Sequence, residues 1–160
     1  MVKYDNEKEY KYEGTCIKYL FFDSIKTNKL VIAFSAFSPE EPLYSYVNTL
    51  KELPVFKLYI LDDYGGRGSY YLGNINNFNI ENAVINLIKS IMDKYNIRKQ
   101  DIVCIGSSKG GWAAIYYALK YEFGYVIAGE PQIKLAKYLQ THNGGDVISY
   151  MIAGSLDAEQ

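Results

Sequence analysis

Along this chain, short continuous apolar runs alternate with stretches of helical spacing. Leu30-Val31-Ile32-Ala33-Phe34 is an unbroken apolar run, the pattern of a strand covered on both faces. Val55 to Leu61, after the breaker Pro54, predicts a further strand, as do Ile102 to Ile105 and Tyr125 to Ala128. Tyr10 to Phe22, rich in Tyr, Ile and Phe, reads as one strand or as a hairpin bent at Gly14. Within Ile80 to Tyr95, Val84, Leu87, Ile88, Ile91, Met92 and Tyr95 repeat at helical spacing, with Asn79 as N-cap and Glu81 in the first turn. Leu43 to Leu50 predicts a short helix, and Ala113 to Tyr121 a longer one. Strands alternating with helices predict an α/β fold: a mostly parallel sheet with helices on both faces. No repeat, low-complexity tract or linker interrupts the pattern. Residues 1–160 therefore read as a single domain, with 1–9 as a flexible or peripheral start.

Composition narrows the function classes. Hydrophobic residues make up 49% and charged residues 22%, a globular balance. A net charge of −1 gives no electrostatic case for nucleic acid or an anionic membrane. Met1 to Lys11 is too charged for a signal peptide, and no apolar run approaches a membrane span, so the expected compartment is the cytoplasm. Cys16 and Cys104 sit inside strand-like runs and suggest neither a disulfide framework nor a metal site. The 17 tyrosines fit either a compositional bias or an aromatic carbohydrate-binding surface.

The chemistry concentrates in Gly106-Ser107-Ser108-Lys109-Gly110-Gly111-Trp112, which joins a predicted strand to a predicted helix. Strand, G-x-S-x-G, helix is the nucleophile elbow of an α/β-hydrolase, with Ser108 in the reactive slot. The other reading is a structural connection whose glycines allow close packing while Ser107 or Ser108 caps the helix. The motif is not a phosphate-binding Walker loop, because Lys109 precedes the glycine pair, and no cofactor is expected. In the hydrolase scheme, one oxyanion donor is the N–H after the nucleophile, here Lys109. The second lies in the loop after the third strand, here Ala36 or Phe37.

The loop Asp62 to Gly73 leaves the carboxyl end of the Val55–Leu61 strand, where ligands bind in open α/β sheets. Asp62, Arg67, Ser69 and Tyr70 would suit a polar ligand such as a sugar, or an anionic group held by Arg67. The same residues would also serve a surface loop of glycine turns with Asp62 capping one of them. Ser108, Glu130 and His142 follow the serine, acid, histidine order of the fold. His142 arrives before a seventh or eighth strand could form, and it equally reads as an exposed loop residue. Asp146 and Asp157 are weaker acid candidates. The ending Gly154 to Gln160 resembles the start of another helix, so the chain is expected to be the N-terminal portion of a longer, incomplete hydrolase-like domain. A sheet stopping after its sixth strand has an open edge, and Val147 to Ile152 lacks an obvious partner. Self-association into a homo-oligomer is therefore expected, or the folding back of that segment.

Ile105 to Ala114, Phe34-Ser35-Ala36-Phe37, Gly68-Ser69-Tyr70-Tyr71-Leu72-Gly73 and Gly129-Glu130-Pro131-Gln132 resemble bacterial capsular-polysaccharide biosynthesis proteins of the α/β-hydrolase type. They resemble more distantly the acyltransferase-like components of the accessory secretion system for glycosylated adhesins. The resemblance implies cytoplasmic work on cell-surface glycans, by acyl transfer or ester hydrolysis with Ser108 as nucleophile on a glycan or acyl-ester substrate. Another class of function is a catalytically silent scaffold or binding subunit of a polysaccharide assembly complex.

Overall fold

Apolar runs fold into strands where both faces find cover, and six of them join here into one sheet. The computed structural model describes residues 4–65, 68–73 and 77–141. Its strand order is β1-β2-β4-β3-β5-β6. β1 (Lys8–Tyr12) and β2 (Thr15–Phe22) form the hairpin alternative read from residues 10–22. Glu13 (φ 46°) and Gly14 (φ 81°) make its two-residue turn, and both are left-handed as tight hairpins require. β2 runs antiparallel to β4 (Phe56–Ile60). β4, β3 (Leu30–Phe34), β5 (Ile102–Ser107) and β6 (Tyr125–Gly129) are parallel to one another. Every residue of β3 and β4 is buried, β3 as a continuous apolar run and β4 with Lys57 buried among apolar neighbours.

One sheet face packs against α1 (Asn79–Tyr95) and α2 (Lys109–Tyr121). Val84, Leu87, Ile88 and Ala114 meet Leu30, Ile32, Phe34, Leu58 and Cys104 there. Full burial of each large aliphatic side chain contributes about 1.5–3 kcal/mol. On the opposite face, Val31, Ala33, Tyr59 and Ile105 pack with Tyr44 and Leu50. The helix predicted over Leu43 to Leu50 is absent, and turns take its place. Tyr46 has φ 66°, which a right-handed helix cannot contain, and the Leu50 N–H to Tyr46 carbonyl bond closes a single loop. Apolar spacing alone satisfied that face without a helix.

Asn79 is the first residue of α1, not its N-cap. Phe78 holds the cap position, Asn77 Oδ1 accepts the Asn79 N–H at 2.6 Å, and Asn79 Nδ2 donates to Thr15 Oγ1 at 3.0 Å. Glu81 turns inward. It is 1% exposed, accepts hydrogen bonds from the Tyr116 and Tyr121 hydroxyls and pairs with Lys120 Nζ at 2.6 Å. α3 (Leu135–Thr141) follows β6, and its Leu139 packs beside Tyr70 and Trp112. Among the described residues β6 is an edge strand, with Tyr125, Val126 and Ile127 exposed. Val147 to Ile152, His142, Asp146, Asp157 and Arg67 lie outside the described residues.

Candidate active site

β5 ends at Ser107 and α2 begins at Lys109, so a single residue, Ser108, makes the whole turn. It does so with φ 52° and ψ −117°, a conformation costly for a residue with a side chain. Glycine is required on either side. A Cβ on Gly106 would lie 2.1 Å from the Gly110 carbonyl oxygen, and one on Gly110 would lie 2.3 Å from that of Phe34. The Ser108 N–H donates to the Gly129 carbonyl at 2.9 Å, which ties the turn to the end of β6. The serine stands half-buried at the carboxyl ends of the parallel strands.

Gln132 reaches back from just beyond β6, and its Nε2 donates to Ser108 Oγ at 2.9 Å. The Tyr70 hydroxyl donates to Gln132 Oε1. Gln132 stands in the turn Gly129 to Gln132, but the sequence assigned it no role in the site.

Lys109 opens α2, so its backbone N–H lies at a helix N-terminus, where intrahelical acceptors are lacking. Its side chain is buried. Nζ lies 2.9 Å from Asp62 Oδ2 and 5.6 Å from the centre of the Tyr71 ring. Asp62 Oδ1 accepts both the Ser69 N–H and the Ser69 hydroxyl at 2.9 Å. Gly68, at φ 91°, passes so close that a Cβ there would lie 2.3 Å from Lys109 Nζ.

The loop after β3 is braced by Tyr71. Its hydroxyl accepts the Ser35 N–H at 2.6 Å and donates to the Ile60 carbonyl at 2.9 Å. Burial, and then the charge of Asp62, push the Tyr71 phenol well above its ordinary pKa. Tyr117 donates to the Tyr71 carbonyl at 2.7 Å. A polar cavity of about 50 Å³ lies between the loops, with Ser35, Ala36, Phe37, Asp62, Gly68 and Lys109 in its wall.

Several expectations change. Asp62, Ser69 and Tyr70 were read either as ligand residues or as part of a loop with Asp62 capping a turn; they are only 3%, 0% and 4% exposed, and their polar atoms bind one another, Lys109 or Gln132. They brace the site from inside, because a buried carboxylate and hydroxyl must find partners within the protein. Ala36 was expected to offer its N–H to an oxyanion, but Ser45 Oγ takes it at 2.9 Å. Phe37, 39% exposed, and Lys109 are among the residues lining the cavity. Glu130 is exposed at the end of β6 with φ 44°.

Comparison with known proteins agrees with this geometry. The family model described as the accessory Sec system GspB-transporter matches residues 10–143. An accessory Sec system protein of Staphylococcus aureus (strain NCTC 8325 / PS 47) is 23% identical over 148 residues, covering 89% of this chain and 28% of that protein. The capsule O-acetyltransferase of Neisseria meningitidis serogroup A is similar at TM-score 0.73 and 29% identity, over 96% of this chain and 62% of its own. A chain of the Glycosylation Associate Protein (Gap123) complex from Streptococcus agalactiae is similar at TM-score 0.75 and 19% identity, over 86% of this chain and 26% of its own. The present chain thus spans under two thirds of each. Serine hydrolases at 14% and 11% identity share the α/β-hydrolase fold. With the strand order, the serine elbow and a match running from β1 past α3, the chain belongs to the accessory Sec system GspB-transporter family.

Proposed function

We propose that this chain carries the nucleophile of an acyltransferase or esterase that acts in the cytoplasm on a glycan of a surface polysaccharide or glycosylated adhesin. The observation that supports it is Ser108, alone in a strained one-residue turn between β5 and α2, with its hydroxyl oxygen held by a side-chain amide. Ser108 Oγ attacks the acyl carbonyl carbon, its proton passes to a base, and the carbonyl electron pair moves onto oxygen. The Lys109 N–H and the loop at Phe37 face that oxyanion. Collapse expels the alcohol or thiol, which leaves with the proton, and a glycan hydroxyl or water then takes the acyl group by the reverse steps. His142 is the one histidine of the sequence and so the one imidazole this chain has to act as base, with Glu130 as its orienting acid.

A catalytically silent scaffold in an assembly complex is the second reading, favoured by the exposure of Glu130 and by the likeness to a component of a protein complex. Ester turnover with p-nitrophenyl acetate separates the two. The enzyme reading expects turnover abolished by Ser108→Ala and by His142→Ala. Turnover that survives Ser108→Ala, or none in the wild type, supports the scaffold. Turnover lost with Ser108→Ala but kept with His142→Ala assigns the base elsewhere.

A further inference from the structure

Tyr70 and Tyr71 are consecutive residues with left-handed backbones, at φ 54° and 60°. Neither is glycine, so the turn they make is strained twice over, and strain of this kind persists only where the surroundings hold it. Both rings are buried, and their hydroxyls serve different parts of the site. Tyr71 fixes the Ser35 N–H at the start of the loop after β3, while Tyr70 reaches Gln132. Tyr70 also meets Trp112 of α2 edge to face, with ring centres 5.7 Å apart.

We infer that Gln132 is a catalytic residue that orients Ser108 and stabilises its developing charge, and that Tyr70 is the positioning residue that sets the Gln132 amide; this rests on Ser108 being the nucleophile. A serine hydroxyl has one proton to give and two lone pairs. The Gln132 N–H occupies one lone pair at 2.9 Å, so the hydroxyl proton must point elsewhere, free to go to a base. A donor on that oxygen also favours its anionic form as the proton leaves. Gln132 itself is no base and forms no covalent bond in the step.

The amide has two faces, and only one is useful. Turned by half a rotation, its carbonyl would accept the Ser108 proton and hold the hydroxyl unreactive. With Oε1 accepting from the Tyr70 hydroxyl, the amide nitrogen is the end turned to the serine. Strain in the Tyr70–Tyr71 turn is thus tied to two jobs, the aim of the nucleophile and the shape of the neighbouring loop.

The test is the rate at which a fluorophosphonate probe labels the purified chain, with Ser108→Ala as control. Gln132→Ala and Gln132→Glu should each slow labelling about tenfold or more, and Tyr70→Phe severalfold, with unfolding midpoints close to wild type. Gln132→Glu is the sharper variant, since glutamate keeps the packing and the bond from Tyr70 but lacks the donor. A protonated carboxyl donates again, so the ratio of Gln132→Glu to wild-type rates should climb as pH falls through the glutamate's titration. If Gln132→Ala does not fold, that ratio alone decides. Labelling that survives Ser108→Ala, or a wild type that takes no label, overturns the nucleophile reading and the inference with it. Loss with Ser108→Ala but rates within twofold of wild type for both Gln132 variants overturns the inference alone.

Discussion

The ammonium of Lys109 lies 2.9 Å from an Asp62 carboxylate oxygen, with side chains 4% and 0% exposed. This pair fastens the residue after Ser108 to the loop leaving β4. Removing one partner strands the other charge in the interior, which typically costs about 3–5 kcal/mol. Lys109→Met and Asp62→Leu should each destabilise the chain by that order, while the double variant should cost clearly less than the two together. Urea unfolding of the three proteins measures it. Additive losses would show that the two side chains are not coupled.

Glycines at the elbow and in the hairpin are needed for different reasons, and substitution separates them. Gly110→Ala pushes a methyl to 2.3 Å from the Phe34 carbonyl oxygen, so α2 must move away from β3. Overpacking of this kind costs about 1–3 kcal/mol or more, and Ser108 should lose its reactivity through displacement. Gly14→Ala meets nothing within 4 Å and carries only the penalty of φ 81°, about 1–2 kcal/mol, with reactivity at Ser108 intact. Equal reactivity in the two variants would refute the steric account of the elbow.

What the sequence disclosed follows from how local each signal is. Continuous runs such as Leu30 to Phe34 suit strands covered twice, and the glycines flanking Ser108 by two positions mark a tight turn where a Cβ at either would clash. Leu43 to Leu50 misled because apolar spacing reports burial, and turns bury Tyr44 and Leu50 as well as a helix would. Asp62, Ser69 and Tyr70 looked like ligand residues because polar groups at a sheet's carboxyl end serve ligands or internal bracing alike. Only their burial tells the two apart. Gln132 stood in a segment that carried the resemblance, but nothing local gave it a role. Its partners Tyr70 and Ser108 lie 62 and 24 positions away, and no spacing rule reaches that far.

Glu81 is a buried carboxylate shared by Tyr116, Tyr121 and Lys120, and it joins the first turn of α1 to the last turns of α2. Glu81→Leu removes the common acceptor and should cost about 1–3 kcal/mol. It should also change a titration. The Tyr121 phenol pKa is raised first by burial and then by its hydrogen bond to Glu81. Without the carboxylate that pKa should fall, seen as phenolate absorbance appearing at lower pH than in wild type. An unchanged titration curve would mean that burial alone sets it.

Alkaline pH should weaken the fold before any peptide chemistry intervenes. Burial pushes the Cys104 thiol up to about 12 and the Tyr59 phenol to about 12, and it raises Tyr71 and Tyr117 well above their ordinary value. Unfolded thiols and phenols titrate near 8.5 and 10. Between those values and the folded ones the native state holds more protons than the unfolded state, so stability falls as pH rises. The contribution is therefore complete below about pH 8.5 and declines from there to about 12, Cys104 first and the tyrosines above pH 10. Urea midpoints measured from pH 7 to 11 should be flat and then descend. Cys104→Ala should reduce the slope between about 8.5 and 10, to which Cys16, also raised by burial, contributes the rest, and leave the steeper one above it. A midpoint that holds constant to pH 11 would mean that water reaches these groups in the folded chain, and the close packing of Tyr71 and Tyr117 around Phe34 would then be in question.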